Sequence, residues 1–309
     1  MKKILITTSS FDLSNFAEYN MLINAGFEIR LNPFNKKLTE DQISGLMDVD
    51  VVAMIAGTEP LTEAVLKKAS SLKIIVRCGI GMDNVDLIAA TKLGIQIFNT
   101  PDAPTRSVAE LTIAHILTLL RRVSESDRMI RGGEWKALMG SLLYEKTVGV
   151  IGYGRIGKLV SKLLLAFGAK VLVYDLFENE NIGEVKFVNK EQILKESDII
   201  TLHIPYSLEN HHFIDKYAFS IIKSGSIIVN VSRGGLIDDV ELYEAIKGKK
   251  IAGAALDCFE NEPYNGPLIN CNNVLLTAHM GSYAKESRIQ QEVDSCNALV
   301  RGLKLNNLI

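Results

Sequence analysis

Short apolar runs alternate with helical segments through almost the whole chain, and this alternation constrains the fold more than any other feature. Runs rich in β-branched residues, such as KILIT near the start and TVGVIG near the middle, are separated by helical patterns such as TEAVLKKAS. Continuous runs of this kind between helices are typical of parallel strands buried on both faces. The alternation predicts an α/β fold of doubly wound parallel sheets, and 309 residues suffice for about two domains.

Charge and composition argue against several classes of protein. A net charge of −2 disfavours a nucleic-acid partner or an anionic membrane surface, because both favour a basic face. No apolar run reaches the ~20 residues of a membrane span, and the apolar core of the start, MKKILITTSS, is too short for a signal peptide. The four cysteines show no CxxC spacing, so neither a disulfide framework nor a metal site is expected. These features favour a cytoplasmic protein.

The motif GYGRIG, from Gly152 to Gly157, is the first feature that predicts chemistry. A strand precedes it, a helix follows it, and the next strand ends at Asp175. In this setting Gly152 makes the tight turn, Gly154 lets the backbone approach a pyrophosphate, and Gly157 lets the helix pack closely. The N-terminus of the helix supplies N–H groups for the phosphates. The alternative, that the glycines serve only a tight turn, is disfavoured by this context.

Asp175 distinguishes between the two nicotinamide cofactors. Its carboxylate can accept hydrogen bonds from the ribose hydroxyls of the adenosine half, whereas it would repel the 2′-phosphate of NADP. The residues that follow, Leu176, Phe177 and Glu178, offer no arginine to such a phosphate. The sequence therefore predicts NAD as the cofactor.

Polar residues follow successive strand ends in the second half of the chain. His203 and Pro205 end the run DIITLHIP and are predicted to line the cofactor loop. Arg233 follows SIIVNV, Glu262 follows IAGAALD, and His279 ends VLLTAH. Because ligands bind outside the carboxyl ends of strands in open α/β sheets, we expect the last three side chains to share one site.

The three residue types fit hydride transfer to a carbonyl group. Negative charge builds on the carbonyl oxygen, so reduction needs a proton donor and oxidation needs a base. Histidine serves both directions, and a nearby carboxylate favours its protonated form. We therefore assign His279 as the acid/base, Glu262 as its partner, and Arg233 as the anchor of a substrate carboxylate through two hydrogen bonds. Gly234 and Gly235 are expected to let a ligand approach the backbone.

These motifs resemble those of the D-isomer-specific 2-hydroxyacid dehydrogenases, a group that includes D-3-phosphoglycerate dehydrogenase and glyoxylate/hydroxypyruvate reductases. The resemblance covers nearly the whole chain and rests on RCGIGMDNVD, NTPDAPTRSVAELT, VGVIGYGRIG, LHIPYSLEN, NVSRGGLIDD, AALDCFENEP and TAHMGS. It implies an NAD-dependent oxidoreductase acting on a small 2-hydroxy or 2-oxo acid, either phosphoglycerate dehydrogenase-like or hydroxypyruvate/glyoxylate reductase-like. The alternative is a non-catalytic NAD(H)-binding sensor or corepressor on the same fold. Formate oxidation is disfavoured, since formate yields no carbonyl to protonate.

The resemblance also implies a domain organisation. A Rossmann NAD-binding domain of residues 99–283 would be inserted into a flavodoxin-like substrate domain of residues 1–98 and 284–309. A homodimer would form through the long helix that begins near Ser107. There Ser107 and Glu110 have the spacing of a capping box.

Further site residues are implied by the resemblance alone. The substrate would contact Arg77 and the backbone N–H groups of Gly79, Ile80 and Gly81. Arg155 and Ile156 would contact the pyrophosphate of the cofactor, and Asp257 would bind its nicotinamide carboxamide. Val231, Ser232 and Gly281 would be further cofactor contacts. The loop Met54–Val65 lacks the arginine that phosphate-handling members tend to carry, which disfavours a phosphorylated substrate unless Arg77 or Arg106 compensates.

The remaining histidines receive structural interpretations. His115 lies in a strongly apolar helix and is expected to be packed in the core. His211 and His212 are adjacent in a polar stretch and are predicted to be solvated.

Overall fold

The computed structural model describes residues 1–9, 11, 13, 16–177 and 183–309. Within these residues the strands are β1 (Lys3–Ile6), β2 (Glu28–Leu31), β3 (Val51–Ala56), β4 (Ile74–Arg77), β5 (Gln96–Asn99), β6 (Thr147–Ile151), β7 (Lys170–Tyr174), β8 (Val185–Phe187), β9 (Ile199–Leu202), β10 (Ser226–Asn230), β11 (Ile251–Leu256) and β12 (Val274–Leu276). The helices are α1 (Ala17–Asn24), α2 (Glu40–Leu46), α3 (Glu63–Leu66), α4 (Leu87–Lys92), α5 (Thr105–Arg121), α6 (Val123–Arg131), α7 (Arg155–Ala166), α8 (Lys190–Glu196), α9 (Lys216–Ile221), α10 (Asp239–Lys247) and α11 (Lys285–Leu305). None of these helices combines the length and apolar character needed to cross a bilayer.

The chain divides into two compact units, Met1–Pro104 with Ala284–Ile309, and Thr105–Tyr283. The first unit holds a five-stranded sheet in the order β2-β1-β3-β4-β5, and the second holds a seven-stranded sheet in the order β12-β11-β10-β9-β6-β7-β8. The paired strands of both sheets run parallel. These are the flavodoxin-like and Rossmann-type strand orders, so the predicted class of two doubly wound parallel sheets is confirmed. The substrate and cofactor roles of the two units remain predictions.

The strands form where apolar residues run without interruption, and helices cover both faces of each sheet. β3 and β9 are buried along their whole length, which requires cover on both sides. In the second unit α5 and α7 pack on one face of the sheet, while α8, α9 and α10 pack on the other. In the first unit α11 packs on β3 and β4. Gly302 allows the close approach, because a Cβ there would lie 2.9 Å from the Ile74 side chain.

Polar N-caps start many of the helices. The N-cap side chains that accept a hydrogen bond from a first-turn N–H include Thr39, Asp86, Asn189, Asp215 and Asp238. The capping box predicted at Ser107 and Glu110 is wrong, because α5 begins at Thr105 and both residues lie inside the helix. Burial of Ser107 against the sheet places it on the inner face of α5 instead of at its end.

Candidate active site

The loop between β6 and α7 carries the glycine motif and leaves open space beside the helix N-terminus. Gly152 has φ +98°, and a Cβ there would lie 2.6 Å from the His203 carbonyl oxygen. A Cβ on Gly157 would lie 1.9 Å from the Gly152 carbonyl oxygen, so only glycine lets α7 pack this closely. Around Gly154, the N-cap of α7, no neighbouring atom of the described residues lies within 4 Å of the Cβ position. This open helix end fits a bound pyrophosphate.

Asp175, which is predicted to select NAD, follows β7 and faces the glycine loop. Its carboxylate accepts a hydrogen bond from the Tyr153 N–H at 2.7 Å and from the Phe177 N–H at 2.9 Å. These bonds hold the negative charge next to the open end of α7. Leu176 and Phe177 are strongly exposed, whereas Glu178 lies outside the described residues.

His203 follows β9 and lies against the glycine loop. Its Nε2 atom is 3.0 Å from Thr201 Oγ1, while Nδ1 is buried and has no hydrogen-bond partner among the described residues. Burial of the ring lowers the pKa of His203 to about 3, so the imidazole is neutral at neutral pH. Pro205, two residues on, is exposed, and its carbonyl oxygen accepts a hydrogen bond from Asn210 Nδ2 at 2.7 Å. A neutral ring beside the glycine loop fits a cofactor-lining residue better than a proton carrier.

Arg233 extends from a turn after β10 that Asn230 holds in shape. The Asn230 Nδ2 donates to the Arg233 carbonyl oxygen at 2.8 Å, and its Oδ1 accepts from the Ser232 N–H at 3.0 Å. The Ser232 hydroxyl donates to the Leu202 carbonyl oxygen at 2.6 Å, which ties this turn to β9. The Arg233 Nη1 donates to the Ser232 carbonyl oxygen at 2.8 Å. Val231, which is predicted to contact the cofactor, is buried.

Gly234 and Gly235 make room for other parts of the protein, which corrects the expectation that they admit a ligand. A Cβ on Gly234 would lie 1.8 Å from the Phe259 carbonyl carbon. A Cβ on Gly235 would lie 2.7 Å from the Tyr206 ring. The two glycines therefore let the turn after β10 pack directly against the segments that follow β9 and β11.

His279 and Glu262 are in direct contact. The His279 Nδ1 lies 2.9 Å from Glu262 Oε1 and 3.1 Å from Oε2. The same Oε1 accepts a hydrogen bond from the Phe259 N–H at 3.1 Å, which fixes the carboxylate on its own turn. The two side chains remain 43% and 30% exposed, so the pair is open to a ligand. The second imidazole nitrogen, Nε2, lies on the side of the ring away from Glu262.

The buried Asp257 carboxylate organises the segment that carries His279, a role that sequence reasoning missed. It accepts hydrogen bonds from the Thr277 hydroxyl at 2.6 Å, the Met280 N–H at 2.9 Å and the Gly281 N–H at 2.8 Å. Asp257 is 1% exposed, and a carboxylate buried this deeply needs such donors. The donors flank His279 on both sides. They lie at least 20 positions from Asp257, so local sequence spacing carries no signal for the contact.

In the first unit, the residues predicted to bind the substrate carboxylate follow β4. The Gly79 N–H donates to Thr100 Oγ1 at 2.8 Å, so in this conformation it is directed at the protein and not at a ligand. The next residue, Ile80, is 37% exposed, and its carbonyl oxygen accepts from Asn99 Nδ2 at 3.0 Å. Of the three predicted N–H groups, those of Ile80 and Gly81 fit the role best.

Arg77 is buried inside the first unit, and its role in substrate binding stays a prediction. Its guanidinium donates to the Cys78 carbonyl oxygen and, at 3.2 Å, to Asn84 Oδ1. The loop Met54–Val65 contains the buried Glu59, whose Oε1 accepts from the Gly57 N–H at 3.1 Å. The ionisable side chain buried in this loop is therefore acidic, and no arginine takes its place.

The remaining histidines divide into one core residue and one surface cluster. His115 is 2% exposed, and burial lowers its pKa, in keeping with the predicted core position. His211 and His212 are predicted to be solvated; His211 is exposed and His212 is partly exposed, and their rings stack with centroids 3.8 Å apart. Both rings face the carboxylate of Glu260.

The sequence matches a known family of enzymes. The family model described as "D-isomer specific 2-hydroxyacid dehydrogenase, NAD binding domain" matches residues 113–281. The D-3-phosphoglycerate dehydrogenase of Methanocaldococcus jannaschii is 41% identical over 256 residues, which cover 81% of this chain and 49% of that protein. The hydroxypyruvate reductase of Thermotoga maritima is 38% identical over 261 residues, which cover 82% of this chain and 85% of that protein. The chain thus spans about half the length of the phosphoglycerate dehydrogenase that it matches.

Solved structures share the fold. A protein of Thermus thermophilus superposes with a TM-score of 0.88 at 31% identity, and the match covers 98% of this chain and 97% of that one. A D-lactate dehydrogenase of Aquifex aeolicus, solved with NAD and lactic acid, superposes with a TM-score of 0.83 at 28% identity, covering 98% and 96%. Sequence and fold point to the same family.

The buried ring of His203 makes stability depend on pH. Its pKa is about 3 in the folded chain, against 6.5 for an unperturbed histidine, so below pH 6.5 the unfolded chain binds the proton first. The free energy of unfolding should therefore fall as the pH drops from 6.5 towards 3. Between pH 7 and pH 5, urea unfolding should show a loss about 2 kcal/mol smaller in His203→Gln than in the wild type. Equal losses in His203→Gln and the wild type would contradict the assignment.

Proposed function

The chain belongs to the D-isomer-specific 2-hydroxyacid dehydrogenase family, and on this premise we propose that it catalyses reversible hydride transfer between NAD(H) and a small 2-hydroxy or 2-oxo acid. The contact between His279 and Glu262 carries the proposal, because carbonyl reduction needs an acid/base group of this kind. A protein that only sensed NAD(H) would not need the pair.

His279 is proposed to move the proton of the reaction. In reduction it gives a proton to the carbonyl oxygen of the 2-oxo acid, and in oxidation it takes the proton of the 2-hydroxyl group. Glu262 holds Nδ1, which leaves Nε2 as the nitrogen that exchanges this proton. Asp257 supports both steps by fixing the backbone on each side of His279.

The substrate anchor is proposed to be Arg233. Its hydrogen bond to the Ser232 carbonyl oxygen sets the orientation of the guanidinium plane. A planar guanidinium can hold a carboxylate through two parallel N–H groups and can also polarise a carbonyl oxygen. The N–H groups of Ile80 and Gly81 in the first unit remain predicted substrate contacts.

Bound NAD would supply the hydride acceptor for oxidation and, when reduced, the hydride donor for reduction. Its pyrophosphate fits the open helix end at Gly154, with Arg155 and Ile156 in the first turn. The adenosine ribose fits Asp175, and the nicotinamide end is assigned to a group of residues along the strand ends, namely His203, Pro205, Val231, Ser232, Asp257 and Gly281. Asp257 can serve the carboxamide while it holds the His279 segment, because a carboxylate has about four acceptor positions.

Among small 2-oxo acids, one without a phosphate group suits the loop Met54–Val65 better than a phosphorylated one. The loop Met54–Val65 presents no arginine, and its buried charge is the carboxylate of Glu59. Arg77 is committed to Cys78 and Asn84, so it does not replace the missing cation. A phosphorylated substrate would therefore find no arginine in this loop to bind its phosphate.

Oxidation of NADH should be detectable with the purified protein and a panel of glyoxylate, hydroxypyruvate, pyruvate, phenylpyruvate and 3-phosphohydroxypyruvate. Turnover should be highest with an unphosphorylated member of the panel. His279→Ala should lower kcat by at least ~10²-fold, since a positioned acid/base contributes this much, while NADH binding stays unchanged. The loss of NADH absorbance measures kcat, and a fluorescence titration with NADH measures cofactor binding.

Glu286→Gln provides the control for His279→Ala, because this glutamate is exposed on α11 and has no assigned role. Its kcat should equal that of the wild type. Undiminished turnover in His279→Ala would overturn the acid/base assignment. NADH binding by the wild type with no turnover of any panel member would favour the sensor interpretation.

Cofactor preference tests the role of Asp175. Asp175→Asn removes the negative charge but keeps an oxygen that can accept the Tyr153 N–H, so the glycine loop should stay in place. The ratio of kcat/KM for NADPH to that for NADH should rise by at least ~10-fold, a change of ~1.4 kcal/mol in relative binding. Steady-state kinetics with both cofactors give this ratio; a variant as selective as the wild type would contradict the charge argument.

A homodimer is proposed on the basis of exposed apolar residues that follow α5. The helix α5 itself is largely packed against its own unit, whereas α6 and the segment after it expose a series of large apolar side chains: Val123, Ile130, Trp135, Met139, Leu142 and Tyr144. Trp135 and Met139 are 91% and 88% exposed. A cluster of exposed apolar side chains this large usually marks a binding interface. From the family we expect a second copy of the chain to cover it.

The double substitution of Trp135→Glu and Met139→Glu should convert the dimer to a monomer, because two charges would be buried in an apolar interface. Sedimentation velocity measures the change in mass. Ile88→Glu, at an exposed apolar residue of α4, should leave the mass unchanged. A wild-type protein that sediments as a monomer at micromolar concentration would contradict the proposal.

A further inference from the structure

Three side chains that the proposed reaction does not use lie together beyond the ends of β9 and β11. His211 and His212 follow the short 3₁₀ turn Leu208–Asn210, and Glu260 follows β11. The His212 Nε2 lies 3.3 Å from Glu260 Oε2, and the His211 Nε2 lies 3.9 Å from Glu260 Oε1. The ligand atoms of the three residues all lie within 4.8 Å of one another. We call them the HHE cluster.

We propose that the HHE cluster binds a divalent transition-metal ion of the zinc type. Zinc takes histidine nitrogen and carboxylate oxygen at ~2.0–2.1 Å, which places neighbouring tetrahedral ligands ~3.3 Å apart. The His212–Glu260 separation has this value, and the His211–Glu260 separation exceeds it by a distance that a side-chain rotation covers. Two imidazoles with one carboxylate suit zinc, whereas calcium and magnesium prefer all-oxygen sites.

The outer nitrogen of each histidine already faces an oxygen atom. The His211 Nδ1 lies 3.2 Å from Tyr206 Oη, and the His212 Nδ1 lies 3.5 Å from Asp238 Oδ2. Histidine ligands characteristically direct the second ring nitrogen to a carboxylate or another acceptor, which selects the tautomer whose Nε2 lone pair binds the metal. Both histidines of the cluster therefore have the outer partner that metal ligands need, and their Nε2 atoms lie near the Glu260 carboxylate.

Backbone packing holds the cluster in place before any ion arrives. The His212 N–H donates to the Gly235 carbonyl oxygen at 2.8 Å, and His212 has the unusual φ of +51°. Gly234 lets the backbone at Phe259 come into contact with the same turn. Ligands on two separate segments are thus presented at fixed positions, which lowers the entropy cost of binding a metal.

The ion would join the segment after β9 to the segment after β11. Glu260 lies two residues before Glu262, in the turn where the Phe259 N–H donates to Glu262 Oε1 at 3.1 Å. A bound ion would therefore restrain the turn that carries Glu262. The proposal does not depend on the enzymatic assignment, since metal binding is measured without turnover.

Titration of the EDTA-treated protein with Zn²⁺ and, separately, Co²⁺ tests the site. Equilibrium dialysis with metal analysis should give one bound ion per chain, and zinc should raise the Tm by several degrees. The Co²⁺ complex should show d–d absorption without a thiolate charge-transfer band, which separates this site from binding by the free cysteines. No saturable binding, or a thiolate band, would overturn the proposal.

Substitutions locate the bound ion. His212→Gln and Glu260→Gln should each abolish one-to-one binding, and Asp238→Asn, which keeps an N-cap oxygen for α10, should weaken it ~10–100-fold. Glu209→Gln, at an exposed glutamate of the adjoining turn, should bind as the wild type does. Circular dichroism confirms that each variant is folded. Unchanged binding in the folded Glu260→Gln variant would contradict the proposal, as would loss of binding in His279→Gln.

Discussion

The buried carboxylate of Asp257 is the interaction on which the candidate site depends most. It receives three hydrogen bonds, two of them from backbone N–H groups at Met280 and Gly281. A carboxylate at 1% exposure would be strongly unfavourable without them, so burial and loop shape enforce each other. The consequence is that His279 stands on a segment held at both sides, opposite Glu262.

Close backbone packing at the carboxyl ends of the strands is the second constraint. Gly152 abuts the His203 carbonyl, Gly157 abuts Gly152, and Gly234 abuts Phe259. Each contact would be blocked by a single methyl group, so the loops after β6, β9, β10 and β11 form one packed layer. Gly154 is the exception, since the space beside it is open. The same layer that supports the predicted cofactor loop also holds the HHE cluster.

Most of the fold could be predicted from the sequence, and the errors have local causes. The apolar runs quoted above as strands, such as KILIT, TVGVIG and SIIVNV, are strands in the structure, because buried parallel strands need continuous apolar residues. β2 and β8 were missed: both are sheet-edge strands, and EIRL and VKF mix charged with apolar residues. The capping box at Ser107 failed because its spacing also occurs inside a helix whose inner face is buried.

The site was predictable where the chemistry follows from residue type at a strand end. His279 with Glu262 is such a case, because both follow strands of one parallel sheet and their contact follows from topology. Arg77 and Gly79 are expected at the substrate from the family resemblance, and Gly234 near a ligand because it lacks a side chain; all three have close neighbours within the protein. Residue type cannot show whether a polar or glycine position faces a ligand or another segment, since that depends on packing.

By itself the sequence determined the α/β class, the two parallel sheets, the nucleotide motif and the strand-end positions of His279 and Glu262, because periodicity and strand-end position are local or topological properties. The tertiary structure alone decided that Asp257 holds the segment of His279, that desolvation lowers the pKa of His203, and that His211 and His212 meet Glu260. Each of these three features either joins residues that are far apart in the chain or depends on how deeply a side chain is buried. Such contacts are set by how the loops pack together in space, which no local pattern of residues encodes.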